Sequence, residues 1–120
     1  MKLIEACEQT GIARYLMISS YGADPGVEGD DTFQVYLRAK GKADEELSRS
    51  GLEHTIVRPV GLTDDPGTGT VSLGEVERGE IPREDVAAIL AASLHEPNTV
   101  GKTFEAASGV SPIEDALRSL

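Results

Sequence analysis

The sequence has no tryptophan, one cysteine, and only three tyrosines and two phenylalanines among its 120 residues. With so few rings, the core must be built from Leu, Ile, Val and Ala. The single thiol, Cys7, excludes an internal disulfide and fits a reducing compartment. It lies in a helix-like segment and reads as a packing residue. Positive charge is scarce: 11 Lys and Arg stand against 21 Asp and Glu, a formal charge of −10. A nucleic-acid backbone would be repelled by such a surface, and an anionic lipid face equally so. No apolar run approaches the roughly 20 residues that cross a bilayer. The opening MKLIEACEQTG carries Glu5 and Glu8 and does not read as a signal peptide. The expectation is a cytoplasmic chain with no nucleic-acid and no membrane partner. His54 and His95 lack partners at ligand spacing, so no metal site is expected.

What is present is an alternation of helices and strands. The length suits one domain over 1–120. Leu3, Ile4 and Cys7 recur at helical spacing over 2–10, and Gly11 follows as a stop. Residues 15–18 form a short apolar strand. A glycine-containing loop, 20–31, leads to a helix over about 32–50, capped by Asp30 or Asp31 and ended at Gly51. On it Phe33, Leu37, Lys40, Ala43 and Leu47 form a stripe. Strands follow at 54–58, near 71–73 and at 103–106, with helices at 83–95 and after Pro112. Such an order predicts an α/β layer with a mainly parallel sheet.

Chemistry concentrates in ISSYGADPGVEGDDTFQVYLRAK, residues 18–40. Tyr36 and Lys40, four apart on a helix, share a face. A phenol is a weak acid at neutral pH, and a nearby ammonium favours its ionised form. The pair can therefore serve in proton transfer. Ser20 ends a strand at the carboxyl edge of the sheet, where such folds bind ligands. The plainer reading stands beside this: a lysine laid along an apolar face, and two serines in an ordinary turn.

The order strand, Ser19-Ser20, loop, Tyr36-x-x-x-Lys40-x-x-x-Asp44, strand, Arg58-Pro59 resembles the second half of the short-chain dehydrogenase/reductase superfamily. It is most similar to the atypical, NmrA-like NAD(P)-binding members. Gly61-Leu62-Thr63, the segment 65–69, the strand through Thr103-Phe104-Glu105 and residues 111–117 also resemble that group. The resemblance implies Ser20, Tyr36 and Lys40 as the catalytic set, with NADP or NAD as cofactor. Ser20 would polarise a carbonyl and Tyr36 would move the proton. Lys40 would hold the nicotinamide ribose. Ser19, Tyr36, Lys40, Pro59, Val60, Gly61 and Leu62 would contact the cofactor. The implied activity is an NAD(P)H-dependent oxidoreductase on a small-molecule substrate, or that of a sugar-nucleotide epimerase relative. A non-catalytic NmrA-like binding module and an inactive truncated relic are the alternatives.

One part of such a site is missing from the sequence. A dinucleotide needs a glycine-rich turn between a strand and a helix, where backbone amides meet the pyrophosphate. Gly67-Thr68-Gly69 precedes a strand and lies beside Asp64 and Asp65, so it is not expected to cradle phosphate. The resemblance starts at the helix before the fifth family strand, so a partial Rossmann sheet is expected. Its first strand, 15–18, would leave a bare edge that invites self-association. Arg58 either touches a ligand or closes a salt bridge. Glu84-Asp85 suits the opening of a helix. Asp44, Glu45 and Glu46 read as a solvated face.

Overall fold

The computed structural model describes residues 2–120. Helix α1 (Lys2–Thr10) ends at Gly11, whose φ of +79° favours glycine. It buries Ile4 and leads to β1 (Arg14–Ile18). Helix α2 (Thr32–Arg49) begins with a capping box. The Gln34 amide donates to Asp31 at 2.8 Å, and the Asp31 amide donates to the Gln34 side chain at 3.3 Å. Then come β2 (Glu53–Pro59), β3 (Gly61–Thr63), β4 (Thr70–Gly74), β5 (Glu80–Pro82) and α3 (Arg83–Ser93). A 3-10 turn at Pro97–Thr99, β6 (Lys102–Ser108), β7 (Ser111–Pro112) and α4 (Ile113–Arg118) complete the order.

The main sheet runs β1-β2-β6-β4-β7. β1, β2 and β6 are parallel, and β4 pairs antiparallel with β6 and β7. β3 and β5 form a separate parallel pair. This is the mainly parallel α/β sheet that the alternation predicts. The strands β3, β5 and β7, of two or three residues each, are too short for any periodicity to show.

Successive residues of β2 serve opposite faces of the sheet. Ile56 packs with Ile4, Leu47 and Leu52 under α1 and α2. Val57 joins the larger core with Ile81, Ile89, Phe104 and Leu117. β1 lies at one edge of the sheet, with no strand beyond it among the described residues. The buried stripe of α2 differs from the expected one. Gly41, Asp44 and Leu47 are its buried positions, and Phe33 is 57% exposed. Gly41 is required sterically, because a Cβ there would collide with the backbone of Asp24 and Pro25.

Candidate functional site

The site lies where β1 and β2 end and α2 passes over them. Pairing continues beyond β1: the Ser19 amide donates to Val57 O at 2.7 Å and the Tyr21 amide to Pro59 O at 3.0 Å. Ser19, Ser20 and Tyr21 are thus delivered in register with Arg58–Val60 at the carboxyl edge. The following loop is fastened to α2. The Asp24 amide donates to Leu37 O at 3.3 Å, and Gly22 lies against the Leu37 side chain. Arg38 donates to the carbonyls of Val27 and Gly29 at 2.9 and 3.1 Å. Neither the Arg38 ties nor the need for Gly41 was visible in the sequence, because both depend on where the loop folds back.

Tyr36 and Lys40 do meet. The Lys40 ammonium is 5.7 Å from the centre of the Tyr36 ring, within cation–π range. On its other neighbour the ring stacks with Phe33, centroids 6.3 Å apart and planes 22° from parallel. Tyr36 is 44% exposed, so its phenol is open to a ligand. The Ser20 hydroxyl turns to Tyr21 O at 3.4 Å, and no hydrogen bond joins it to Tyr36 among the described residues. Beside this edge, Ile18 and Leu62 line an open apolar hollow of about 250 Å³ with Val86 and Leu90. Gly61 is exposed, whereas Pro59 and Val60 are buried.

Ser19 is buried, and its hydroxyl donates to Asp44 at 2.8 Å. Arg58 closes on the same carboxylate through Nε and Nη2, both at 2.9 Å. Of the two uses open to Arg58, the structure shows the salt bridge. Asp44 corrects the expectation of a solvated acidic face: it is only 3% exposed, because its helical position points at the strand ends. Another contact missed in the sequence is Arg78, whose guanidinium lies 5.4 Å from the centre of the Tyr21 ring.

The segment Gly67-Thr68-Gly69 has its amides occupied. Gly67 donates to Glu84 at 2.9 Å, and Thr68 and Gly69 donate to Asp85 at 3.1 and 3.0 Å. Carboxylates at the start of α3 thus take the place an anion would need. Asp85, 2% exposed, is a structural acceptor, in line with its position at a helix start.

A family model described as NAD(P)H-binding matches residues 1–97. The chain belongs to that NAD(P)H-binding family. A Bacillus subtilis relative, called the uncharacterized sugar epimerase YhfK, is 44% identical to this chain over 120 residues, 99% of the chain and 56% of the relative. Among solved structures, a Bacillus halodurans protein assigned as an NAD-dependent epimerase/dehydratase superposes with a TM-score of 0.89 at 41% identity. The match covers 99% of this chain and 57% of that protein. The oxidoreductase ylbE of Lactococcus lactis gives the same TM-score and coverages at 27% identity. The fold is therefore Rossmann-like. The chain spans just over half the length of these relatives.

Proposed function

We propose that this chain is the catalytic, nicotinamide-proximal part of an NAD(P)H-dependent oxidoreductase acting on a carbonyl or quinone. The observation that carries the reading is the Lys40 ammonium facing the Tyr36 ring at 5.7 Å, on a helix fastened over the strand end that presents Ser20. The residues present fit the nicotinamide end of a cofactor. An exposed phenol, a lysine one helical turn away and an apolar hollow beside Leu62 supply polar and apolar contacts together. When bound, the cofactor supplies a hydride.

The chain's own side chains do the rest. Lys40 holds the ribose by its ammonium and keeps positive charge beside the phenol. Tyr36 gives its hydroxyl proton to the substrate oxygen, and Ser20 donates a hydrogen bond to the same oxygen. Pro59, Val60, Gly61 and Leu62 would contact the cofactor, Leu62 from the wall of the apolar hollow. Ser19, engaged with Asp44, supports the strand end. Among the described residues the Gly-x-Gly segment 67–69 is occupied by Glu84 and Asp85, so a pyrophosphate would need a turn supplied from outside them. The relatives have the additional length to hold such a turn.

The test is reduction of a panel of carbonyls and quinones with NADPH and NADH. The protein is this chain co-expressed with the amino-terminal half of the Bacillus subtilis relative. Oxidation of either cofactor that depends on Tyr36 is expected. Cofactor binding without turnover on any substrate, unchanged in Tyr36→Phe, would place the chain among non-catalytic binding modules.

A further inference from the structure

Asp44 is a buried carboxylate that the proton-transfer chemistry does not use. It follows Lys40 by one helical turn and Tyr36 by two, so all three lie on one stripe of α2. A carboxylate removed from water is costly unless donors surround it. Here one oxygen, Oδ2, accepts two hydrogen bonds, from the Ser19 hydroxyl at 2.8 Å and Arg58 Nε at 2.9 Å, and lies 2.9 Å from Arg58 Nη2 in the ion pair. Its other oxygen, Oδ1, is buried and accepts no hydrogen bond among the described residues. Every hydrogen bond and ion pair of the carboxylate among the described residues is therefore with the ends of β1 and β2. The residue after Ser19 is Ser20, and the residue after Arg58 is Pro59.

Stability alone does not account for this arrangement. A buried ion pair can often be exchanged for apolar side chains of similar volume without loss of stability. A helix held by apolar packing can slide by fractions of a side chain. One held by two short hydrogen bonds and an ion-pair contact to a single oxygen has a defined height. We infer that Asp44 is a positioning residue: through Ser19 and Arg58 it sets the height of α2 over the two strand ends, and so places Tyr36 and Lys40 relative to Ser20. The inference rests on reading those three residues as the reacting set.

Two measurements test it. In the first, the isotopically labelled 120-residue chain is compared by NMR with Asp44→Asn and Ser19→Ala. The readout is crosswise. Asp44→Asn is expected to move the Ser20 amide signal, and Ser19→Ala to move those of Tyr36 and Lys40. Changes confined to the sequence neighbours of each substitution would overturn the inference. If Asp44→Asn does not fold, Ser19→Ala decides, because it leaves the ion pair intact. In the second, turnover is measured in the co-expressed assembly described above. Asp44→Asn is expected to lower kcat by about 10²-fold, the size of a misplacement of about 1 Å, with a smaller rise in cofactor KM because Lys40 moves with the helix. Full activity in Asp44→Asn beside an inactive Tyr36→Phe would overturn the positioning role alone. Full activity in Tyr36→Phe would overturn the functional reading, while the NMR result still decides whether Asp44 sets the helix.

Discussion

At the scale of single residues, Tyr36 is the most exposed of the three proposed reacting residues, and removal of its hydroxyl is the sharpest test. Tyr36→Phe keeps the ring that stacks on Phe33 and faces Lys40. It removes only the proton donor. In the co-expressed assembly, turnover is expected to fall by roughly 10²–10⁴-fold. Cofactor affinity, read by calorimetry, should be nearly unchanged. Asp85 offers a contrasting case, a carboxylate with no catalytic part. It accepts from the Thr68 and Gly69 amides and from the Thr68 hydroxyl at 3.2 Å. Asp85→Ala leaves those amides without their carboxylate; Thr68 and Gly69 are exposed, so water replaces part of the loss and each hydrogen bond is worth about 0.5–1.5 kcal/mol. A lower midpoint in denaturant with an unchanged slope is the expected outcome.

At the scale of elements, α2 is the part on which site and stability meet. Its start is secured by the capping box of Asp31 and Gln34, its middle by Gly41 against the loop, and its inner face by Leu47. Gly41→Ala would drive a methyl group into the Asp24–Pro25 backbone, which cannot yield as a side-chain tip does. Overpacking of this kind typically costs about 1–3 kcal/mol. It should also detach the loop from α2. Asp31→Ala removes a cap contact at the last residue of the loop, worth about 1 kcal/mol, and leaves the packing of Asp24 and Pro25 against Gly41 in place. Thermal melts of the two variants, with proteolysis of the 20–31 loop as a second readout, separate these effects. Faster loop cleavage is expected only in Gly41→Ala.

Much of α2 could be read from the sequence. Asp31 as cap, Gly51 as stop and the shared face of Tyr36 and Lys40 all follow from spacings of a few residues. The register of its buried stripe did not. Phe33, Leu37, Ala43 and Leu47 suggest a core stripe, yet the helix turns Gly41 and Asp44 inward beside Leu47 and leaves Phe33 exposed. The partners that make this favourable are Arg58 and the 24–25 loop, and no local pattern announces them.

At the scale of the whole molecule, two expectations concern the 120-residue chain expressed alone. With the amides of the 67–69 segment occupied, no described turn is available for a pyrophosphate. NADPH should bind it with a dissociation constant on the order of millimolar or weaker. Calorimetric saturation in the low micromolar range would show that other elements hold the cofactor. The free side of β1 presents unpaired backbone groups beside the exposed Ile18. Edges of that kind pair with other strands. We propose that the isolated chain self-associates there. Sedimentation should show species heavier than the monomer, and a proline in place of Leu16 should suppress them. A single monomeric species at micromolar concentration would count against the proposal.

The sequence by itself determined the alternation of helices and strands, the parallel sheet, the Tyr36–Lys40 pair and the family resemblance. These rest on periodicity, capping and motif spacing, which are local and survive without knowledge of partners. Only the tertiary structure decided that Asp44 is buried, that it joins Ser19 and Arg58, and that Asp85 and Glu84 fill the one segment resembling an anion cradle. It also decided that strands of two or three residues complete the sheet at β7 and form the separate pair of β3 and β5. The physical reason is the same in each case. A carboxylate is equally at home in water or among buried donors, and a three-residue segment is as readily a loop as a strand. Which state it takes depends on groups from distant parts of the chain, as when residue 44 meets residues 19 and 58.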